Sequence, residues 1–174
     1  MNKELFLTSS PVRELDELRG KTTSLTNVNV KGQYDVTAKT GGNAELFKLT
    51  LSAPISADFS IVLANEQGNE LVVGYEKATN SYYIDRSKAG KTDFEKGFGK
   101  RHIAPRLATE SPLSLTLLVD VASVELFADG GLTVMTDIVF PDQPFSKVFI
   151  KSATGISIPK LTHTRLTSAG SKGL

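Results

Sequence analysis

The chain has 174 residues, is 40% hydrophobic and 22% charged, and carries a net charge of +1. That suits one globular domain with its own core, and the near-neutral balance excludes a polyanion-binding surface as the main purpose. Without cysteine, disulfides, thiolate metal sites and cysteine nucleophiles are excluded. The opening "MNKELFLTSS" lacks the apolar core of a signal peptide and reads like the middle of a longer protein. No apolar run approaches the ~18 residues of a membrane helix. We therefore expect neither a nucleic-acid nor a membrane partner, and the compartment stays open.

In chain order, "SPVRELDELRG" predicts a short helix. Ser10 can cap it, Pro11 suits its first position, Glu14 lies near the capping-box position, and Gly20 stops the run of Val12, Leu15 and Leu18. Residues 1–20 read as an interdomain linker, 21–168 as the folded domain and 169–174 as a flexible tail. Almost everything after the helix predicts strand: residues 33–40, 44–53 and 57–64, then "ELVVGYE" and "SYYIDRS" about the turn "KATN". Residues 87–112 read as one long loop. "LSLTLLVD" puts Leu113, Leu115, Leu117 and Val119 on one face. "SVELFAD" follows after a tight turn, and Asp129-Gly130-Gly131 predicts another hairpin before "LTVMTDIVF". "FSKVFIKS" and "ISIPKLTHTRLTS" complete about eleven strands with no helix between them, which predicts an all-β, two-sheet antiparallel sandwich of jelly-roll or concanavalin-like type.

Several residues could carry chemistry. Glu125 and Asp129 flank Phe127 on one strand face, and sugar-cleaving carboxylate pairs stand ~5 Å or ~6.5–9.5 Å apart. The solvated face of an ordinary antiparallel strand carries the same spacing. His102 and His163 have no ligand-spaced partner, so neither metal nor cofactor is expected. Lys96, Lys100, Arg101 and His102 form a basic loop, which Phe94 and Phe98 anchor. Tyr75, Tyr82 and Tyr83 are the candidates for stacking on a sugar, and one of Tyr82 and Tyr83 must face the core, because neighbours on a strand point oppositely.

Three blocks, in order, carry a family resemblance: "LFLTSSPVRELDELRG", "YYIDRSKAG" and "LLVDVASVELFADGGLTVMTDIVFP". Asp85, Arg86 and Ser87 stand in the second; Asp120, Ser123, Val124, Glu125, Phe127, Asp129, Gly130, Phe140 and Pro141 in the third. Together they resemble the C-terminal sandwich of glycoside hydrolase family 32, the invertases, inulinases and levanases. The chain departs from the pattern at Ala122 (usually serine), Ala128 (usually asparagine) and Asp137 (usually arginine). The resemblance implies that catalysis resides in an N-terminal five-bladed propeller, whose Asn-Asp-Pro, Arg-Asp-Pro and Glu-Cys motifs have no counterpart here. The expected role is then a non-catalytic accessory domain of a fructan hydrolase. Its partner is that propeller, and an uncovered apolar face would give weak self-association. A fructan-oligosaccharide-binding module, or a lectin-like domain with another ligand, is the alternative. Within the motifs, Asp120 and Ser123 are expected to bracket a turn and Glu125 to pair with Arg86. Phe127 and Phe140 are expected either in the core or on the propeller-facing surface.

Overall fold

A computed structural model describes residues 5–42, 44–109 and 112–168. Ten strands account for most of them: β1 (Arg19–Asp35), β2 (Phe47–Ala53), β3 (Phe59–Ala64), β4 (Glu70–Glu76), β5 (Ser81–Lys88), β6 (Arg101–Pro105), β7 (Leu113–Asp120), β8 (Ser123–Ala128), β9 (Thr133–Ile138) and β10 (Lys147–Leu166). All pairings between them are antiparallel.

The twenty-residue β10 organises the molecule. One edge pairs with β1 along most of its length. The other edge pairs with β3 through Lys147–Lys151 and with β2 through Lys160–Arg165. Its first half thus continues the series β6-β5-β4-β3, and its second half the series β2-β7-β8-β9. Between the halves, Gly155 (φ 98°) and Gly32 (φ 80°) lie beside a register shift in the β1–β10 ribbon. Only residues free of a Cβ adopt such angles without strain, so the ribbon bends there and folds one sheet over the other. Pro159, which cannot donate, falls where β10 has left β3 and not yet met β2.

The core follows from period two. Strand β2 alternates buried and half-buried along its whole length, and Leu113, Leu115, Leu117 and Val119 of β7 all point inward. Phe47, Leu49, Ile61, Leu63, Leu117, Leu126, Ile150 and Ile158 from both sheets join one cluster, each side chain almost fully buried.

The all-β sandwich is as expected, but four local expectations change. Residues 33–40 are not a strand throughout: Val36–Thr40 is a one-turn helix, α1. The Asp35 carboxylate accepts the Ala38 amide at 2.8 Å and the Thr37 hydroxyl at 2.7 Å, and Gly41 closes the turn at φ 61°. The two caps outweigh β-branched propensity. The segment Arg13–Leu18 is a 3₁₀ helix whose N-cap is Val12, without a side-chain cap from Ser10, and Gly20 lies inside β1. The two predicted C-terminal strands are one, β10, and the predicted long loop contains β6.

The N-terminal arm crosses the outer face of the second sheet. Its Leu15 and Leu18 border a cleft with Leu118 of β7 and Leu166 of β10. Leu118 points away from the core yet is only 9% exposed, because the arm covers it.

Candidate functional site

The sheet edges β6 and β9 come together along a seam, and most charged side chains with buried partners lie on it. At one end, the Asp129 carboxylate accepts Arg106 Nε at 2.8 Å, the Tyr82 hydroxyl at 2.7 Å and the Ser114 amide at 3.2 Å. The Arg106 and Asp129 side chains are 2% and 5% exposed. Burial pushes the Tyr82 hydroxyl well above its usual range, and the adjacent carboxylate adds to the effect. For Arg106 burial acts downward, but its bonds to Asp129 and Tyr82 outweigh it and hold the guanidinium above its ordinary pKa. Further along, the Thr133 hydroxyl donates to the Pro105 carbonyl at 2.9 Å.

The middle of the seam centres on Asp137. Its carboxylate takes His102 Nδ1 at 2.8 Å and lies 3.4 Å from Arg86 Nη1, which donates to the Ile138 carbonyl at 2.9 Å. The Arg86 guanidinium rests 3.8 Å above the Phe98 ring, and Phe94, Phe98 and Phe140 pack on one another. Beyond it, Gly90 bridges to Phe140, and the Lys91 amide donates to the Phe140 carbonyl at 2.8 Å.

This arrangement ties the two sheet edges together and closes the sandwich. Asp129 and Asp137 are each occupied by cations. His102 has a carboxylate on one ring nitrogen, and among the described residues no hydroxyl bonds to the other. Among the described residues there is no group of three metal-ligating side chains.

Arg86 meets Asp137, not Glu125. Val124 and Asp137 stand opposite each other with inward side chains, whereas Glu125 faces Leu118 and Thr136 on the outer side. Alternation separates the two carboxylates by the thickness of the sheet, so Glu125 and Arg86 act on different faces. Glu125 instead borders the cleft beneath the arm, about 460 Å³, together with Asp120 and Ser123. Asp120 accepts the Val121 amide at 2.7 Å, as a turn former does. Burial acts to raise the Asp85 carboxyl, but bonds from Ser87 outweigh it, and its pKa stands below the usual value.

Tyr75 and Tyr82, 2% and 0% exposed, have no face free for a sugar. Tyr83 lies on the outer side with the Arg101 guanidinium 3.7 Å above its ring. Val124 is core, Phe127 half-buried, and Phe140 is 40% exposed over a second, more apolar cleft of about 660 Å³ that includes Lys91, Phe94, Asp142 and Gln143. Sequence reasoning passed over Arg106 entirely. The only local signal was the acid in Asp129-Gly130-Gly131, which reads as turn chemistry rather than as an anchor.

Residues 14–167 match the family model described as "Glycosyl hydrolases family 32 C terminal". A levanase of Bacillus sp. (strain L7) is 32% identical over 138 residues, 76% of this chain and 15% of that protein. A levanase of Bacillus subtilis (strain 168) is 27% identical over 158 residues, 88% of this chain and 23% of that protein. The crystal structure of exo-inulinase from Aspergillus awamori superposes with a TM-score of 0.81 at 21% identity, covering 97% of this chain and 34% of that one. A β-fructofuranosidase from Schwanniomyces occidentalis gives 0.77 at 18% identity, covering 95% and 37%. These superpositions share the fold, and the chain spans under a quarter of the length of the two levanases.

Proposed function

The chain belongs to the C-terminal family of glycosyl hydrolases family 32, and from that premise we propose that it is the non-catalytic accessory sandwich of a fructan-hydrolysing enzyme, with residues 21–168 as the domain and the segment before them as the linker from an N-terminal propeller. The observation that carries this reading is the arm. Leu5, Phe6 and Leu7 are 96%, 55% and 94% exposed, and three apolar residues in a row do not stay in water where a partner can cover them. The seam supports the same reading, since its carboxylates are tied to cations and leave no pair free to donate and accept protons. Incubation of the purified chain with levan or inulin is expected to release no fructose. Release above the level of a boiled sample overturns the reading.

A second reading, a fructan-binding module, draws on the cleft between Lys91 and Gln143, where exposed Phe94 and Phe140 rings stand beside Lys91 and Asp142. Calorimetry with fructo-oligosaccharides separates the two. The accessory reading expects no heat of binding at millimolar ligand, and a saturable isotherm lost in Phe140→Ala would favour the module.

A further inference from the structure

We propose that the turn between β8 and β9 is a clasp for residues 5–12, and that Gly131 is the positioning residue that sets the direction in which the chain before the sandwich leaves it. This rests on the reading of the chain as a domain joined to a preceding one, but the contact itself belongs to the chain alone. The Ser9 amide donates to the Gly131 carbonyl at 3.1 Å. Gly131 is buried at φ 84°, and a Cβ built on it would overlap the Ser9 carbonyl oxygen. The arm therefore lies against a position that tolerates no side chain.

The turn that holds the arm is itself held. Asp129, Gly130 and Gly131 have φ values of 49°, 67° and 84°, three successive left-handed residues. Such backbone persists where its surroundings over-determine it. Here the determinant is the buried Asp129 carboxylate with its bonds to Arg106, Tyr82 and the Ser114 amide. A second fixed point lies at the far end of the arm, where the Thr167 amide and hydroxyl both donate to the Leu18 carbonyl, at 2.8 and 3.1 Å. Between the two points Leu15 and Leu18 sit over Leu118. An arm fixed at both ends cannot swing. Leu5 and Leu7, just before Ser9, are left exposed as a surface for the preceding domain of the same polypeptide. The two levanases it matches, of which the aligned stretch is 15% and 23%, carry ample chain for such a domain.

The turn supplies its own control. Gly130 and Gly131 share positive φ, but a Cβ on Gly130 would meet nothing within 4 Å. Gly130→Ala and Gly131→Ala thus impose similar backbone strain, and only the second collides with the arm. In amide exchange on the chain alone, Ser9 is expected to be protected at least ~10-fold over its unstructured rate. That protection should survive Gly130→Ala and vanish in Gly131→Ala, with faster tryptic cleavage after Arg13. Should Gly131→Ala fail to fold, Ser9→Pro removes the donor without touching the turn, and it too should speed cleavage after Arg13 while the sandwich keeps its Tm. An unprotected Ser9 in the wild type, or equal behaviour of the two glycine variants, overturns the clasp. Neither result bears on fructose release, so the accessory-domain reading fails or stands by its own test.

Discussion

Asp129 makes the turn after β8 with its backbone and anchors the seam with its side chain. Its φ of 49° starts a left-handed run, while its carboxylate takes Arg106, Tyr82 and Ser114 at once. Substitution by asparagine keeps the shape and removes the charge, which breaks the buried ion pair between Asp129 and Arg106; a loss of about 3–5 kcal/mol is expected in denaturant unfolding. The same cluster sets an alkaline limit. Tyr82 is raised by burial and then by Asp129, so the folded state favours the neutral hydroxyl. Its contribution is complete below the unfolded pKa of about 10 and is lost as pH rises above it. Tyr75 and Tyr83 are also raised, by burial first, so they share the effect. Unfolding midpoints measured from about pH 8 to about pH 11 should therefore fall, and fall less in Tyr82→Phe, which is less stable at neutral pH. Little of this was legible beforehand. The alternation of Tyr82 and Tyr83 placed one ring inside, but no local pattern linked Arg106 to Asp129.

The elements are joined by glycines with different duties. Gly155, at the bend of β10, has open surroundings: the nearest atom to an added Cβ would be the Val30 carbonyl oxygen at 3.7 Å. Gly90, in the loop after β5, lies against the Phe140 backbone, where a Cβ would overlap the carbonyl oxygen. Both have positive φ, 98° and 105°. Alanine at Gly155 should cost roughly 1–3 kcal/mol of backbone strain. Alanine at Gly90 should cost a further ~1–3 kcal/mol, because backbone has to move out of the way. Thermal unfolding of the two variants side by side checks the ranking. Strand identity at this scale was mostly legible, because buried residues alternate along β2 and β7. The exceptions were α1, which two caps decide, β6, which falls inside the predicted loop, and β10, which reads as two strands because Gly155 interrupts its pattern while its pairing with β1 resumes beyond it.

As a whole, the molecule is one sheet folded on itself, and β1 and β10 belong to both halves. Neither half can lose its pairing without exposing the other's core, so a single transition is expected, with circular dichroism and calorimetry coinciding; two separated transitions would show that the halves unfold independently. The sequence by itself determined the all-β class, the order of most strands, the tight turns at Asp120 and Asp129, and the family, since each rests on neighbours within a few residues. Only the tertiary structure decided which carboxylate meets which cation. Arg86 finds Asp137 and leaves Glu125 on the opposite face because the bent β1–β10 ribbon brings β6 beside β9, and that bend is a property of the closed sandwich rather than of any local stretch. It likewise turned "LFLTSSPVRELDELRG" from a capped helix into an arm held at Gly131 and Thr167. A 3₁₀ segment without a cap keeps its shape through what it lies on.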